Sequence, residues 1–284
     1  MRVVVAYPRR FSFRVLLAFL IVCSAGCGFI GWKLSCFRLQ SRALQQIVSR
    51  HPYSQVAWEP PAYPRWWRYV EDATDVRCAN VVALAFGNRC DLRDAECLRH
   101  LTALRYLDFP NGVTDDDVLL KVAELPELEA LSLRSGVGAY GTGDVPPAPS
   151  NRGIRALARL PKLHSLYLES GLVRTADGKY VRLVDDDGLL PVTSSAPLRR
   201  LDVGWTDATM TSLRPLLERN TLIDLGLPAS FASQWDELAQ STSLRQICIR
   251  DMPVRPRVEA PFQVSHGFRE MNPGFTMKRA YQPH

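Results

Sequence analysis

The first 50 residues contain no aspartate or glutamate, although they carry eight of the 35 lysines and arginines. The remaining residues hold 27 basic side chains against 29 acidic ones, so the formal net charge of +6 arises from one short segment. A nucleic-acid-binding domain would carry a basic stripe of its own. The sequence therefore predicts a nearly neutral folded part that does not bind nucleic acid.

Motifs typical of metal sites and catalytic centres are also missing. The seven cysteines form no CxxC pair, and the five histidines are scattered without a ligand pattern. No GxSxG, HExxH or kinase motif occurs. The aspartate triplets at 115–117 and 185–187 lack the alternating spacing of a calcium loop. We therefore predict no enzymatic activity, no cofactor and no metal site.

One long apolar run stands near the amino terminus. Val15 to Trp32 is uncharged for 18 residues, and a helix of that length is about 27 Å long, close to the thickness of a bilayer core. We predict a basic tail at 1–14 and a single membrane-spanning helix at 15–32. The small residues before Cys27 leave two alternatives open, a cleaved signal peptide or a lipid anchor on Cys27. A short basic tail is hard to translocate, so we expect the bulk of the chain to be extracytoplasmic.

The segment after the apolar run predicts a connection to a folded domain. Residues 33–63 have a helical pattern followed by a proline-rich stretch, which predicts a juxtamembrane helix and an extended linker. Arg65 to Asp72 predicts a short helix. Its aromatic residues Trp66, Trp67 and Tyr69 are expected to cover the open end of the domain that follows.

An aliphatic triplet recurs along the rest of the chain. It has the form of a leucine, two other residues, and then Leu-x-Leu or a close variant. The middle positions are separated by 23, 24, 35, 35, 24 and 22 residues; they are Leu84, Leu107, Leu131, Leu166, Leu201, Leu225 and Ile247. Leu-x-Leu is typical of a short strand whose alternate side chains point into a core. Such units expose apolar surface alone and bury it against their neighbours.

This spacing resembles the leucine-rich-repeat superfamily. The chain is similar to membrane-anchored bacterial repeat proteins of the kind abundant in planctomycetes, through RFSFR at 10–14 and WWR at 66–68. The resemblance implies an α/β solenoid at 64–252, with about seven repeats, a concave parallel sheet and short helices on the convex side. It implies a binding or scaffolding role without naming a partner.

The stretches between the triplets predict further local structure. Residues 113–122 and 184–192 are near copies, in which Thr114 or Asp115 and Asp185 or Asp186 are candidate helix N-caps. Two insertions are expected near 137–151 and 173–184. The second has Asp177-Gly178 between alternating runs and predicts a hairpin. Residues 253–284 lose the triplet pattern and predict an irregular cap or tail.

Residues beside the inward leucines are expected to face the concave surface. The set is rich in tyrosine, arginine and acidic residues, which favours protein binding; it contains Tyr106, Asp108, Ser132, Arg134, Ser165, Tyr167, Glu169, Arg200, Asp202 and Arg250. We expect the partner to be a protein or surface polymer, bound by this face or by the loop edge, with the bilayer contacted through Val15 to Trp32. A structural envelope protein without a discrete ligand is the alternative, as is a secreted or lipidated form of the same module.

Overall fold

The computed structural model describes residues 13–59, 67–74, 78–113, 115–134, 149–169, 172–174, 180–228, 230–231, 234–249, 263–265 and 278–279. The α-helices within these ranges are α1 (Phe13–Arg50), α2 (Trp67–Thr74), α3 (Leu92–Leu98), α4 (Asp116–Val122), α5 (Asn151–Ala156), α6 (Asp186–Ser195), α7 (Met210–Arg219) and α8 (Trp235–Ala239). The strands are β1 (Gln55–Glu59), β2 (Asn80–Ala85), β3 (Tyr106–Phe109), β4 (Ala130–Arg134), β5 (Ser165–Glu169), β6 (Leu172–Arg174), β7 (Tyr180–Arg182), β8 (Arg200–Asp202), β9 (Asp224–Leu227), β10 (Gln246–Ile249), β11 (Gln263–Ser265) and β12 (Lys278–Arg279).

One main sheet organises the described part of the chain. Eight strands, β1 to β5 and β8 to β10, form its body, and β11 and β12 extend it to ten strands. The order is β11-β10-β9-β8-β5-β4-β3-β2-β1-β12. Pairing is parallel from β2 to β11 and antiparallel at β1 with β2 and with β12. The prediction of a mixed α/β fold is confirmed.

The triplet leucines share one register row of this sheet. Leu84 pairs with Leu107, and the row continues strand by strand to Ile247. All seven middle positions are fully buried. They belong to a single hydrophobic cluster that extends the length of the sheet. The sequence period thus coincides with the step from one parallel strand to the next.

Helices connect successive strands and pack against each other in chain order, α3 on α4, α4 on α5, α5 on α6 and α6 on α7. Asp115 and Asp185 are the N-caps of α4 and α6, where they accept hydrogen bonds from the backbone N–H groups of Val118 and Asp187. Each cap satisfies a backbone donor that the first helical turn leaves free. The predicted caps are therefore confirmed at these two positions.

A repeated polar contact joins the amino termini of neighbouring helices. The first helical residue of one helix binds the N-cap residue of the next at three successive junctions, Asp116 with Ser150, Asn151 with Asp185, and Asp186 with Thr209. At each junction the N-cap backbone N–H donates to the side-chain oxygen of the preceding helix. This contact holds the helix starts at a fixed spacing, a device that the sequence analysis did not predict.

Helix α1 is continuous across the predicted boundary between membrane helix and juxtamembrane segment. It is long and apolar enough to span a membrane, and its residues 17–29 are exposed. Its carboxyl-terminal half is different, because Leu44, Ile47 and Val48 belong to the main hydrophobic cluster. Gln40 donates from Nε2 to the carbonyl of Ala79 at 2.6 Å, beside the first parallel strand. The carboxyl-terminal half of α1 therefore packs as part of the folded domain.

Within 33–63 the predicted juxtamembrane helix is present, but the predicted extended linker after it requires correction. Residues 33–50 complete α1, and Gln55–Glu59 form β1, which pairs antiparallel with β2. Val56 and Ala57 are buried in this strand. Burial of these two apolar side chains is typical of a strand within a sheet and not of a solvated linker. Of the three aromatic residues predicted to form a cap, Tyr69 on α2 is 76% exposed, whereas Trp66 and the side chain of Trp67 lie outside the described residues. The first parallel strand pairs with β1.

An ionic cluster fastens the carboxyl terminus of α1 to the start of α3. Arg50 donates from Nη1 to Asp94 Oδ1 at 2.5 Å and from Nη2 to Asp91 Oδ2 at 2.5 Å. His51 Nε2 lies 2.9 Å from Asp94 Oδ2, close enough for an ion pair but without the alignment of a hydrogen bond. Burial raises the pKa of Asp91, but hydrogen bonds from Arg50 and Asp94 outweigh it and lower that pKa to about 2.

The insertions and the carboxyl-terminal region are described in part. Strands β6 and β7 pair antiparallel with Val173 opposite Val181, which confirms the predicted hairpin strands. Most of the insertion predicted at 137–151 lies outside the described residues, and Asn151 begins α5. The region 253–284 is not wholly irregular, because β11 continues the parallel sheet beside β10 and β12 pairs with β1.

Candidate interaction surface

Two rows of residues alternate with the leucine rows on the strands. One row pairs Tyr106, Ala130, Ser165, Arg200 and Asp224 in turn along β3, β4, β5, β8 and β9. The other pairs Asp108, Ser132, Tyr167, Asp202 and Gly226. Successive side chains of a strand point to opposite faces of a sheet. These rows therefore share the face opposite the leucines.

The predicted site residues divide sharply by burial. Tyr106, Asp108, Ser132, Ser165, Tyr167 and Asp202 are buried, whereas Arg134, Glu169 and Arg200 reach solvent. Arg250 lies outside the described residues. Parallel strands are about 4.8 Å apart, so a long side chain lies over its neighbours; Tyr106 packs with Ala57, Val82, Ala83 and Ala130. Six of the nine described residues of the predicted set are therefore part of a packed layer, and three reach solvent.

Arg134 and Asp108 form the first ion pair of this layer. Arg134 Nη2 donates to Asp108 Oδ2 at 2.6 Å, with the arginine side chain 42% exposed and the aspartate buried. Burial lowers the pKa of Arg134, but its hydrogen bond to Asp108 and the carboxylate charge outweigh that effect and raise it. Burial raises the pKa of Tyr106, and the charge of Asp108 raises it further.

Arg200 organises a second group two strands further along. Its Nε lies 3.0 Å from Asp224 Oδ2, and it also shares a hydrogen bond with the Tyr167 side chain. Burial raises the pKa of Tyr167 to about 12, against the opposing influence of Arg200. The phenol therefore remains protonated at neutral pH. Asp224 was not among the predicted residues, although its place immediately before Leu225 follows from the triplet register.

Asp202 lies in close contact with the neighbouring strand at Gly226. It is fully buried and its Oδ1 accepts a hydrogen bond from the backbone N–H of Gly204 at 2.9 Å. Its register partner is Gly226, where an added Cβ would lie only 2.4 Å from Asp202 Cγ. Glycine is required here because the neighbouring carboxylate occupies the space of a side chain.

A charged ladder at the strand starts was missed by the sequence analysis. Arg105 Nη2 lies 3.2 Å from Glu59 Oε2, and Arg105 Nε lies 4.0 Å from Glu129 Oε1. His164 Nε2 lies 3.4 Å from Glu129 Oε2. All four side chains are partly exposed. Arg105, Glu129 and His164 each follow the first leucine of a triplet, so the period itself is the signal that could have located them.

The polar side chains of this surface are charged and hydrogen-bonding groups. Within the ranges that the structure describes, no three histidine, cysteine, aspartate or glutamate side chains are arranged to hold a metal ion. The polar groups are arginine–carboxylate pairs above a buried tyrosine and aspartate layer, an arrangement that offers hydrogen bonds and charge at fixed positions. Neither the models of known protein families nor the curated proteins match this sequence.

Proposed function

We propose that this chain is a membrane-anchored leucine-rich-repeat module that binds a protein or a surface polymer. The observation that carries the proposal is the single register row of seven buried aliphatic residues, from Leu84 to Ile247, on successive parallel strands. A repeating strand and helix with this period favours a solenoid, in which each unit is buried by its neighbours.

The membrane anchor in this proposal is the exposed apolar half of α1. Phe19, Leu20, Ile21 and Val22 are each exposed, and no charged residue occurs between Arg14 and Lys33. A bilayer would remove this apolar surface from water. The basic tail before it favours an amino terminus in the cytoplasm and a domain outside it.

The partner-binding surface in this proposal is the sheet face around Arg134 and Arg200. Both guanidinium groups are about half exposed and are held by the buried layer beneath, through Asp108 and Tyr167. Groups held in place before binding lose little conformational freedom on binding. A partner that carries carboxylates or amide carbonyls would find oriented donors here. The hairpin of β6 and β7 offers an adjacent loop edge.

The proposal is tested by partner capture from native membranes. The full-length chain, its Arg134→Gln/Arg200→Gln variant and a matched Arg152→Gln/Arg214→Gln variant are crosslinked in membranes and recovered. Arg152 and Arg214 are exposed arginines on α5 and α7 that also pair with carboxylates. We expect recovery of a specific partner to fall several-fold for the sheet-face variant only. Equal recovery from all three proteins would contradict binding by this face.

A structural envelope protein without a discrete ligand is the second candidate. The observation that favours it is that Arg134 and Arg200 are each already paired with a carboxylate of the same chain. Such pairs satisfy the surface without a partner. Capture that recovers no specific protein or polymer from native membranes would favour this candidate.

A further inference from the structure

The folded domain contacts α1 at the level where the apolar run ends. Ile30, Leu34 and Phe37 lie on one side of α1 and pack around the fully buried Cys78, which precedes β2. The apolar run ends at Trp32, where the Lys33 ammonium lies 4.9 Å from the indole centroid. Ile30 thus belongs both to the proposed membrane segment and to the contact with the domain.

Helix geometry places Leu34, in the middle of this contact, within the lipid headgroup layer. At 1.5 Å per residue, Leu34 is about 3 Å and Phe37 about 8 Å beyond Trp32 along the helix axis. The headgroup layer on each side of a bilayer is roughly 5–7 Å thick. If Trp32 marks the end of the hydrocarbon-spanning segment, then Cys78 lies at headgroup depth. Because α1 is continuous through Arg50, it provides no flexible stalk that would lift the domain away.

Helix α2 is fixed at the same place. Glu71 accepts a hydrogen bond from the backbone N–H of Cys78 at 2.7 Å, so the middle of α2 lies beside the residue that α1 contacts. Tyr69, which precedes Glu71 by two residues on α2, is largely exposed. The helix opens with the sequence Trp67-Arg68-Tyr69. Tryptophan, tyrosine and arginine are the residues enriched where a protein meets lipid headgroups.

We infer that α2 lies in the headgroup layer of the bilayer and is a second lipid contact of the domain. The inference rests on the proposed membrane anchor, because the bilayer is placed by the position of Trp32. The exposed Tyr69 side chain would then contact phospholipid headgroups that are continuous with those around α1. The domain then contacts the membrane at two points, which limits its tilt relative to the bilayer plane.

The test uses photocrosslinking of the full chain in vesicles of phosphatidylcholine and phosphatidylglycerol. A p-benzoylphenylalanine replaces Leu20, Tyr69 or Tyr53 in three separate proteins. Leu20 reports on the anchor. Tyr53 is the matched control, an exposed tyrosine three residues after Arg50, where α1 ends about 27 Å along its axis from Trp32. We expect phospholipid adducts at positions 20 and 69, with the yield at 69 several-fold above that at 53.

Each other outcome overturns a defined part of the inference. Adducts at position 20 without adducts at 69 would overturn the contact of α2 and leave the anchor intact. An absence of adducts at position 20 would overturn the anchor and the inference with it. A yield at position 53 equal to that at 69 would overturn the depth argument. A protein adduct at 69 in place of a lipid adduct would identify a second chain as the occupant and overturn the lipid contact.

Discussion

The contact between Gly226 and Asp202 allows a stability prediction that can be worked from the structure. A Cβ at position 226 would lie 2.4 Å from Asp202 Cγ and 2.4 Å from its Oδ1. Ordinary contacts of this kind are about 3.5–4 Å, so the carboxylate would have to move by roughly 1 Å within a fully buried site. Overpacking of this extent costs about 1–3 kcal/mol. The Gly226→Ala variant should therefore unfold about 4–8 °C lower for a cost near 2 kcal/mol.

A double-mutant cycle tests the cause of that loss. Asp202→Ala leaves the backbone N–H of Gly204 without its carboxylate partner and costs about 1–3 kcal/mol. In this background there is no carboxylate for the new Cβ to meet, so Gly226→Ala should cost almost nothing. Thermal unfolding of the full chain in detergent, for wild type, both single variants and the double variant, gives the four values. Strictly additive losses would refute the steric argument.

Two further predictions concern the contacts between helix starts and the ionic junction between α1 and α3. Burial raises the pKa of Asp186, but hydrogen bonds from Ser212 and Thr209 outweigh it and lower the folded-state pKa below the ordinary value of 3.8. The ionised Asp186 side chain therefore stabilises the fold above pH 3.8, and this stabilisation is lost as the pH falls through the lower pKa of the folded state. The Tm of wild type should fall more steeply on acidification than the Tm of Asp186→Asn. Parallel Tm profiles would contradict this. Arg50→Ala should lower Tm by several degrees, because buried Asp94 loses its closest cation. Since Arg50 is 40% exposed, the expected loss in the free energy of unfolding is about 1–3 kcal/mol. The exposed Arg42 on the same helix provides the control, and an equal loss for Arg42→Ala would argue against a specific junction.

Much of the fold could be predicted from local pattern. The step from Leu84 to Leu107 and onward fixed which residues lie in one row, since a strand alternates its side chains and each repeat contributes one strand. The caps at Asp115 and Asp185 were also predictable, because a helix start needs a side-chain acceptor within its first turn. The contacts between helix starts were not, since Asp116 and Ser150 are far apart in sequence and meet only when their helices pack.

The sequence by itself determined the apolar amino-terminal run, the seven triplets and the helix starts, because each is a periodic or local signal carried by neighbouring residues. Only the tertiary structure decided that α1 enters the core through Ile47, that β1 replaces a linker, and that Tyr106 and Tyr167 are covered while Arg134 and Arg200 reach solvent. Exposure depends on which side chains from adjacent strands lie over one another, and that is fixed by packing across the sheet rather than by the order of residues along the chain.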